Sequence, residues 1–219
     1  MNIDPYLHKK QSFRNNLISE VQTQNPGFLH NKLYLEFGVM TGESIIDFYN
    51  AYKLNNIKAD FYGFDSFQGL PEETIDKNSP WKTGKFSTNG HISEDLLSIP
   101  SINLVEGWFS DVLNESLLNR FNNKKIGLIH MDCDIYSSTV EVLEYIIQND
   151  LLCDGSLILY DDWGAYLMND STLHDEYSVA QAKAHKEITE KYNLDFELIH
   201  KEVIDPTFYV MTLFRYNKK

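Results

Sequence analysis

Short apolar runs alternate with longer amphipathic stretches along most of the chain. Runs of this kind form the buried strands of a parallel sheet, whereas apolar residues spaced three or four apart indicate helices. We predict strands at 33–37, 59–64, 102–106, 126–131 and 156–160, and a late antiparallel pair at 196–200 and 208–214. We predict helices at about 5–24, 44–54, 113–121, 137–148 and 176–192. This alternation predicts an α/β fold, with a mostly parallel sheet, helices on both faces and an antiparallel C-terminal strand.

The connections between these elements predict one ligand crevice. Right-handed crossovers place the turn after the first strand and the ends of strands two, four and five along the same edge. Residues 66–90 are rich in Pro, Gly, Asn and Ser, so we expect a long loop there that is too polar for the core.

Two acidic clusters follow two of the predicted strands. Asp132 and Asp134 come after 126–131, and Asp161 and Asp162 come after 156–160. Carboxylates at the carboxyl ends of such strands would meet in the crevice. Several neighbouring carboxylates cannot all ionise cheaply unless a cation or a shared proton compensates them. The clusters therefore indicate a metal-assisted active site.

A turn with two glycines follows the first strand. Gly38 and Gly42 would let the backbone approach a ligand, and the start of the next helix offers unpaired N–H groups. Met40 replaces the middle glycine of a dinucleotide fingerprint, which disfavours a pyrophosphate ligand. Glu36 could attract a ligand's ammonium group, or it could be a surface residue beside a tight turn.

A further acid, Asp65, ends the second strand, where it could accept both hydroxyl groups of a ribose. Together with the glycine turn it predicts an adenosine-containing ligand. Phe67 and Trp108 could flank the adenine, or they could pack in the core.

The composition narrows the classes of protein. With 42% hydrophobic and 13% aromatic residues the chain is globular, and 32 acidic against 19 basic residues give a net charge of −13. No Lys/Arg-rich stripe is present, so we expect no nucleic acid partner. We see neither a signal peptide nor an apolar segment long enough for a membrane, and therefore expect a cytoplasmic protein without a membrane partner. Cys133 and Cys153 are expected to be free thiols.

Five motifs occur in order between residues 36 and 162. They are EFGV at 36–39, GFDSFQGLPE at 63–72, GWF at 107–109, MDCDIYSST at 131–139 and DD at 161–162. This series resembles the macrocin O-methyltransferase-like family of S-adenosylmethionine-dependent enzymes, which methylate sugar hydroxyls of antibiotics and related glycosides. The resemblance covers about 33–162 and extends less clearly to 187.

The resemblance implies a class I methyltransferase (Rossmann-like) fold in a single domain, with residues 1–31 as a helical lid or extension and 32–219 as the catalytic core. It implies S-adenosylmethionine and Mg²⁺ as cofactors. Glu36 and Gly38 would line the methionine end, and Asp65 and Ser66 would hold the ribose. The residues predicted to bind the donor are Glu36, Phe37, Gly38, Thr41, Gly42, Ser44, Asp65, Ser66, Phe67, Gly107, Trp108 and Asp132. The resemblance assigns the metal to Asp132, Asp161 and Asp162.

The chemistry requires activation of the acceptor, because a sugar hydroxyl is hardly ionised at neutral pH. A divalent ion can lower the pKa of the acceptor and orient its oxygen. Asp134 is the predicted general base and Asp132 the alternative, although Asp134 could instead cap the helix that begins near 137.

Other polar and aromatic residues allow two interpretations. Tyr136, Trp163 and Tyr166 could form a stacking wall for a sugar ring or could simply pack. His174 and His185 could serve as bases, although a solvated or packed imidazole is the simpler interpretation. Gln181 and Lys183 are interpreted as surface residues. Two departures from the family pattern are Cys133, which stands where glycine is usual, and a short N-terminal segment that would trim the lid over the acceptor.

The sequence thus predicts a Mg²⁺-dependent O-methyltransferase for a hydroxyl of a sugar or a glycosylated small molecule, which could assemble as a homo-oligomer. One alternative is a catechol-type metal-dependent O-methyltransferase, although those enzymes typically complete their metal site with Asp-Asn and this chain has Asp161-Asp162. The other is a non-catalytic S-adenosylmethionine-binding protein, which would not need the full set of carboxylates.

Overall fold

The computed structural model describes residues 6–76, 79, 81–163, 177, 179–205 and 209–219. Within these residues, seven strands form one sheet in the order β3-β2-β1-β4-β5-β7-β6. The strands are β1 Leu33–Phe37, β2 Asp60–Asp65, β3 Ile102–Glu106, β4 Ile126–Met131, β5 Leu157–Tyr160, β6 Phe196–Asp205 and β7 Tyr209–Tyr216. The helices are α1 Leu7–Gln24, α2 Glu43–Leu54, α3 Glu94–Leu97, α4 Phe109–Val112, α5 Glu115–Phe121, α6 Tyr136–Gln148 and α7 Ala180–Lys191.

The sheet is parallel from β3 to β5 and antiparallel at its C-terminal edge. β1 pairs with β2 on one side and with β4 on the other, and β7 runs antiparallel to both β5 and β6. Phe37 pairs with Phe64 and with Met131, and Met131 pairs with Tyr160, so these strands end side by side. The strand order reverses direction between β1 and β4, which is where open α/β sheets form their ligand crevice.

Burial on both faces of the sheet explains the apolar runs. Every residue of β1 and of β4 is buried, as expected for central parallel strands covered by helices on both sides. One face packs on α5, α6 and α7, and the other packs on α1 and α2. The predicted α/β fold is confirmed.

Several element boundaries differ from the predicted ones. The helix predicted at 113–121 is α5 and begins at Glu115, because Asn114 accepts the N–H of Leu117 as its N-cap. The short helix α4, Phe109–Val112, precedes it and was not predicted. The short helix α3 was not predicted; its N-cap Ser93 accepts the N–H of Leu96. No helix in the described part of the chain is long and apolar enough to cross a membrane.

The N-terminal helix α1 is part of the core layer that covers one face of the sheet. Leu17 and Ile18 are buried in the same apolar cluster as Phe48 of α2. The sequence predicts one apolar face on this helix, formed by Leu7, Phe13, Leu17 and Val21. Of these, Leu17 is buried, Phe13 and Val21 are half-buried, and the side chain of Leu7 lies outside the described residues. The assignment of 1–31 as a lid stays a prediction.

Candidate active site

A cavity of about 500 Å³ opens at the carboxyl ends of the parallel strands. Its wall combines the turn after β1, the end of β2, the segment after β3 and both acidic clusters. The predicted site residues on this wall are Gly38, Asp65, Ser66, Gly107, Trp108, Asp132, Asp134, Asp161 and Asp162. The structure therefore brings these residues together, while their individual roles stay predictions.

The end of β1 touches the end of β4 through a glycine. Gly38 has a φ of +94°, and a Cβ atom there would lie 1.9 Å from the carbonyl oxygen of Asp132. No side chain fits at that distance, so the close approach requires glycine. The glycine turn thus joins the predicted donor site directly to the first acidic cluster.

The carboxylate of Asp65 is fixed at the mouth of the cavity by backbone N–H groups. One oxygen accepts the N–H of Val39 at 2.9 Å and of Met40 at 2.7 Å, and the other accepts the N–H of Phe67 at 2.7 Å. Each carboxylate oxygen can accept two hydrogen bonds. Three of its four acceptor sites are therefore used, and one site on Oδ1 remains for a hydroxyl group of a ligand.

Six of the predicted donor-binding residues do not line the cavity. They are Glu36, Phe37, Thr41, Gly42, Ser44 and Phe67. Phe37 stacks on Phe64 with ring centroids 4.7 Å apart, and Phe67 is 1% exposed, so both are core aromatics. Gly42 is the N-cap of α2, and the carbonyl of Thr41 accepts the hydroxyl of Ser93. Trp108, in contrast, does reach the cavity wall.

Glu36 is fully buried, and its carboxylate is occupied by protein groups. Its oxygens accept the hydroxyls of Tyr34 at 2.5 Å and of Ser44 at 2.7 Å, and Oε2 lies 3.0 Å from Nδ1 of His130. The other nitrogen of His130 lies 3.1 Å from Oδ1 of Asp161. The structure thus gives Glu36 a cation from the protein, His130, where the sequence predicted a ligand's ammonium group.

His130 carries a positive charge in this setting. A neutral imidazole has a single N–H donor, so two hydrogen bonds to carboxylates require the imidazolium. Burial alone would lower the pKa of His130, but the charge of Glu36 and the hydrogen bonds to Asp161 and Glu36 raise it to about 10.

A second buried cation comes from α1. Arg14 is 3% exposed; its Nη1 lies 3.1 Å from Oδ2 of Asp47, and its Nη2 lies 3.9 Å from Oδ1 of Asp161. Gln11 donates to the other oxygen of Asp47 at 2.7 Å. Burial would raise the pKa of Asp161, but His130 and then Arg14 outweigh it and lower that pKa. We call Glu36, Asp47, Asp161, His130 and Arg14 the paired network.

The carboxyl groups that face the cavity lack comparable compensation. Burial and the charges of Asp161 and Asp162 raise the pKa of Asp132 well above its usual range, although His130 opposes this. Burial and the charge of Asp162 do the same to Asp134, and burial and Asp161 raise the pKa of Asp162 to about 6. Asp134 and Asp162 also act directly on each other, which raises the pKa of Asp134 and lowers that of Asp162. We call Asp132, Asp134 and Asp162 the cavity carboxyls.

The alternative role of Asp134 as a helix cap is wrong. The N-cap of α6 is Ile135, which makes no side-chain cap, and Asp134 itself has a φ of +59°. The N–H of Ser137 in the first turn is accepted by Glu73 at 2.8 Å. Asp134 therefore does not cap α6.

The segment 66–90 is attached to two helices. Besides Glu73 at α6, the buried Asp76 accepts the N–H of Ala180 at 2.9 Å, at the start of α7. The expectation that this loop is too polar for the core is wrong at Asp76 and at Phe67, which are both buried. The same segment supplies an aromatic part of the cavity wall, where Trp81 and Phe86 lie with ring centroids 5.5 Å apart.

The interpretation of Gln181 as a surface residue is wrong. It is fully buried rather than on the surface; its Nε2 donates to the carbonyl of Met131 at 3.1 Å, and its Oε1 accepts the N–H of Asp162 at 3.2 Å. This side chain therefore ties together the ends of β4 and β5, from which the two acidic clusters depart.

The remaining aromatic and histidine candidates that the structure describes do not line the cavity. His185 lies 5% exposed among aromatic rings, with Nδ1 3.0 Å from the hydroxyl of Tyr160, and burial lowers its pKa to about 3. Trp163 packs against Tyr160, and Tyr136 donates to Glu187. Tyr166 and His174 lie outside the described residues. Cys133, the departure from the family pattern, is a buried free thiol whose side chain reaches the cavity wall.

Three side chains with metal-ligand atoms converge within 4.8 Å in the described part of the chain. They are His130, Asp132 and Asp161. Both nitrogens of His130 already face carboxylates, so this histidine orients Asp161. Asp162, the third predicted metal ligand, lies outside this group but lines the same cavity.

Comparison with known proteins identifies the family. The sequence matches the family model "Macrocin-O-methyltransferase (TylF)" over residues 15–192, which is most of the chain. The chain belongs to the macrocin O-methyltransferase family. The prediction of an O-methyltransferase from this family is therefore confirmed. None of the curated protein sequences matches the chain significantly.

Solved structures agree with a macrocin O-methyltransferase fold. The structure is similar to the O-methyltransferase NovP, with a TM-score of 0.67 and 19% identity over 96% of this chain and 80% of NovP. For CalS11, a calicheamicin methyltransferase, the TM-score is 0.63 with 18% identity over 100% of this chain and 95% of CalS11. An O-methyltransferase from Bacillus cereus in complex with SAH has a TM-score of 0.54 and 13% identity, over 100% of this chain and 93% of that one. Identities this low show the fold alone.

Proposed function

We propose that this protein transfers a methyl group from S-adenosylmethionine to a hydroxyl of a sugar or a glycosylated small molecule, with the help of Mg²⁺. The observation that carries the proposal is a single cavity in which Gly38 and Asp65 lie beside the cavity carboxyls. Membership in the macrocin O-methyltransferase family supports methyl transfer to oxygen. The neighbour CalS11, described as a TDP-rhamnose 3'-O-methyltransferase, supports a sugar acceptor.

The donor would lie along the ends of β2, β1 and β4. Asp65, held by three backbone N–H groups, would accept a ribose hydroxyl. The close contact between Gly38 and Asp132 leaves the methionine end beside the first acidic cluster. The SAH-bound neighbour from Bacillus cereus supports an adenosyl donor in this fold.

Asp132, Asp161 and Asp162 would hold the metal ion. They are hard oxygen donors of the kind that Mg²⁺ prefers. The raised pKa values of Asp132 and Asp162 show that negative charge is under-compensated at this point of the cavity, which fits a cation. When bound, the ion would lower the pKa of the acceptor hydroxyl and orient it. Arg14 and His130 keep Asp161 ionised, and His130 fixes the orientation of its carboxylate.

Asp134 is the preferred general base, with Asp132 the alternative. Its carboxyl group lines the cavity, and α6 does not use it as a cap. Its raised pKa makes the ionised carboxylate a stronger proton acceptor than an ordinary aspartate. The carboxylate would take the hydroxyl proton as the acceptor oxygen attacks the methyl carbon.

The N-terminal segment would complete the acceptor side. Tyr6 and Lys10, at the start of α1, reach the cavity wall, which supports 1–31 as an extension that covers the acceptor within a single domain. The free thiols of Cys133 and Cys153 support a reducing compartment such as the cytoplasm.

The decisive experiment is donor consumption across a panel of sugar acceptors. We expect S-adenosylmethionine to be converted to S-adenosylhomocysteine with Mg²⁺ present, to stop with a chelator and to resume when Mg²⁺ is added back. Full activity in chelator would remove the metal from the proposal.

The donor site is tested separately by calorimetry with S-adenosylhomocysteine. Asp65→Ala should weaken binding, because the ribose loses its acceptor. Asp60→Ala is the matched control, since Asp60 begins the same strand and pairs with Lys124 instead. Equal affinity in wild type and Asp65→Ala would reject the ribose assignment.

A further inference from the structure

One end of the cavity contains a carboxylate that the proposed reaction does not use. Glu141 lies in the second turn of α6 and lines the cavity, as does Ser110 of α4. Burial, and then the charge of Asp111 on α4, raise the pKa of Glu141. Glu141 therefore lies where α6 faces α4, the helix that follows β3.

Glu141 is half-buried and makes no hydrogen bond or ion pair with any residue that the structure describes. Its carboxylate is partly shielded from water and has no donor from the described residues, so a ligand donor that replaces the remaining water would be favourable. The group faces the cavity, so a ligand that brings a hydrogen-bond donor to this position would satisfy it.

The position of Glu141 relative to the donor follows from the strand order, and this step rests on the proposed function. Asp65 at the end of β2 would hold the ribose, and the reactive sulfonium would lie beside Asp132 after β4. The base must then extend from the ribose in the opposite direction, towards the segment after β3. That segment carries Trp108, Phe109 and Ser110 on the cavity wall, and its helix α4 packs against α6, which carries Glu141.

We propose that Glu141 determines the base specificity of the donor, with its carboxylate accepting a hydrogen bond from the 6-amino group of adenine. The 6-amino group is the exocyclic donor of adenine, and a purine that lacks it offers nothing in its place at this position. A hydrogen bond to a charged acceptor contributes more than one between neutral groups. Glu141 thus selects the donor by its base, while Asp65 holds it by its ribose.

The experiment compares S-adenosylhomocysteine with the analogue in which hydrogen replaces the 6-amino group, by calorimetry on the full chain. Wild type should bind S-adenosylhomocysteine about tenfold more tightly. Glu141→Ala should bind both compounds with equal affinity, close to that of wild type for the analogue. Glu141→Gln keeps an acceptor oxygen and should retain part of the preference. Asp111→Asn is the matched control, since it removes a neighbouring negative charge outside the cavity wall and should keep the full preference.

The outcomes separate the two proposals. Equal affinity of wild type for both compounds, or an unchanged preference in Glu141→Ala and Glu141→Gln, overturns the role of Glu141 and leaves the proposed function standing. Failure of wild type to bind S-adenosylhomocysteine at all overturns the proposed function and this inference with it.

Discussion

Two sets of carboxyl groups, all buried except the half-buried Asp132, lie at one crevice and differ in what balances their charge. In the paired network, Glu36, Asp47 and Asp161 face His130 and Arg14 at hydrogen-bond or ion-pair distance. The cavity carboxyls Asp132, Asp134 and Asp162 mainly face other carboxyl groups, which are Asp161 for Asp132 and Asp162, and Asp162 for Asp134. Glu36 and Asp47 lie under the strand ends, Asp161 also reaches the cavity wall, and the second set lines the cavity.

This difference distinguishes carboxylates that stabilise the fold from carboxyl groups that are retained for function. A buried charge with a partner holds its surroundings in place, and removing that partner is costly. Carboxyl groups that repel one another destabilise the fold unless something binds them, so such sites are retained for function at some expense of stability. We therefore expect substitutions in the paired network to reduce stability, and substitutions among the cavity carboxyls to reduce activity alone.

The largest effect is expected at Asp134. Asp134→Asn removes the proposed base, so turnover should fall by roughly 10²–10⁴-fold. Its free energy of unfolding should stay the same or rise, because one of three mutually repelling groups loses its charge. Initial rates and urea denaturation measure the two quantities. Asp95→Asn, an exposed acid of α3, is the control for a simple loss of charge. A destabilised Asp134→Asn would break the distinction between the two sets.

The converse substitution is Arg14→Met in the paired network. It leaves Asp47 without a buried cation and Asp161 with His130 alone, so the free energy of unfolding should fall by about 3–5 kcal/mol. Urea denaturation measures this.

A matched ion pair at the surface shows whether burial is the cause. Lys124 lies 2.6 Å from Asp60, but these side chains are 30% and 41% exposed, against 4% and 9% for Arg14 and Asp47. Lys124→Met should change the free energy of unfolding by less than about 1 kcal/mol. An equal loss of unfolding free energy in Lys124→Met and Arg14→Met would show that burial does not make an ion pair more important for stability.

A third prediction contrasts His130 with the other buried histidine, His185, which is neutral. Burial lowers the pKa of His185 from 6.5 to about 3, so below about pH 6.5 the unfolded chain binds a proton that the folded chain does not. The stability from this group is therefore complete above that pH and is lost as the pH falls towards 3. Between pH 7 and pH 5 the loss should be about 2 kcal/mol.

The variant His185→Phe isolates this contribution, because it keeps an aromatic ring but cannot titrate. Urea denaturation at pH 7 and at pH 5 should show a smaller loss of stability in His185→Phe than in wild type. The same loss in both proteins would mean that other groups account for the acid sensitivity.

The smallest effect on stability is expected at Asp76, a carboxylate whose charge is balanced by a backbone N–H group. Asp76 accepts the N–H of Ala180 at the start of α7. Asp76→Ala should lower the free energy of unfolding by about 1 kcal/mol, which is typical of a lost helix cap. Asp76→Asn keeps an acceptor oxygen and should lose less. A loss as large as that of Arg14→Met would place Asp76 with the paired network.

The positions of the strand ends could be predicted from the sequence, whereas the buried residues that pair with the carboxylates there could not. Short apolar runs followed by Asp65, Asp132 or Asp161 locate the crevice, because period and topology alone determine where parallel strands end. Arg14 and Gln181 could not be assigned in this way, since their partners are distant in sequence and contact depends on how α1 and α7 pack. A signal for His130 was present: a titratable residue inside the buried run 126–131 requires partners.

Helix positions contained weaker signals of the same kind. Arg14 precedes Leu17 and Ile18 by three and four residues, so it shares their buried face. Gln181 lies between alanines near the start of α7, where small neighbours allow close packing. Neither pattern identifies the partner, which is why the sequence predicted the cavity carboxyls but missed the paired network.

The two attachment points of segment 66–90 matter for protein engineering. Glu73 and Asp76 hold the starts of α6 and α7, while Trp81 and Phe86 further along present their rings to the cavity. A library that aims to change the proposed acceptor can therefore vary the two aromatic positions. The library should leave Glu73 and Asp76 unchanged, because their hydrogen bonds attach segment 66–90 to α6 and α7.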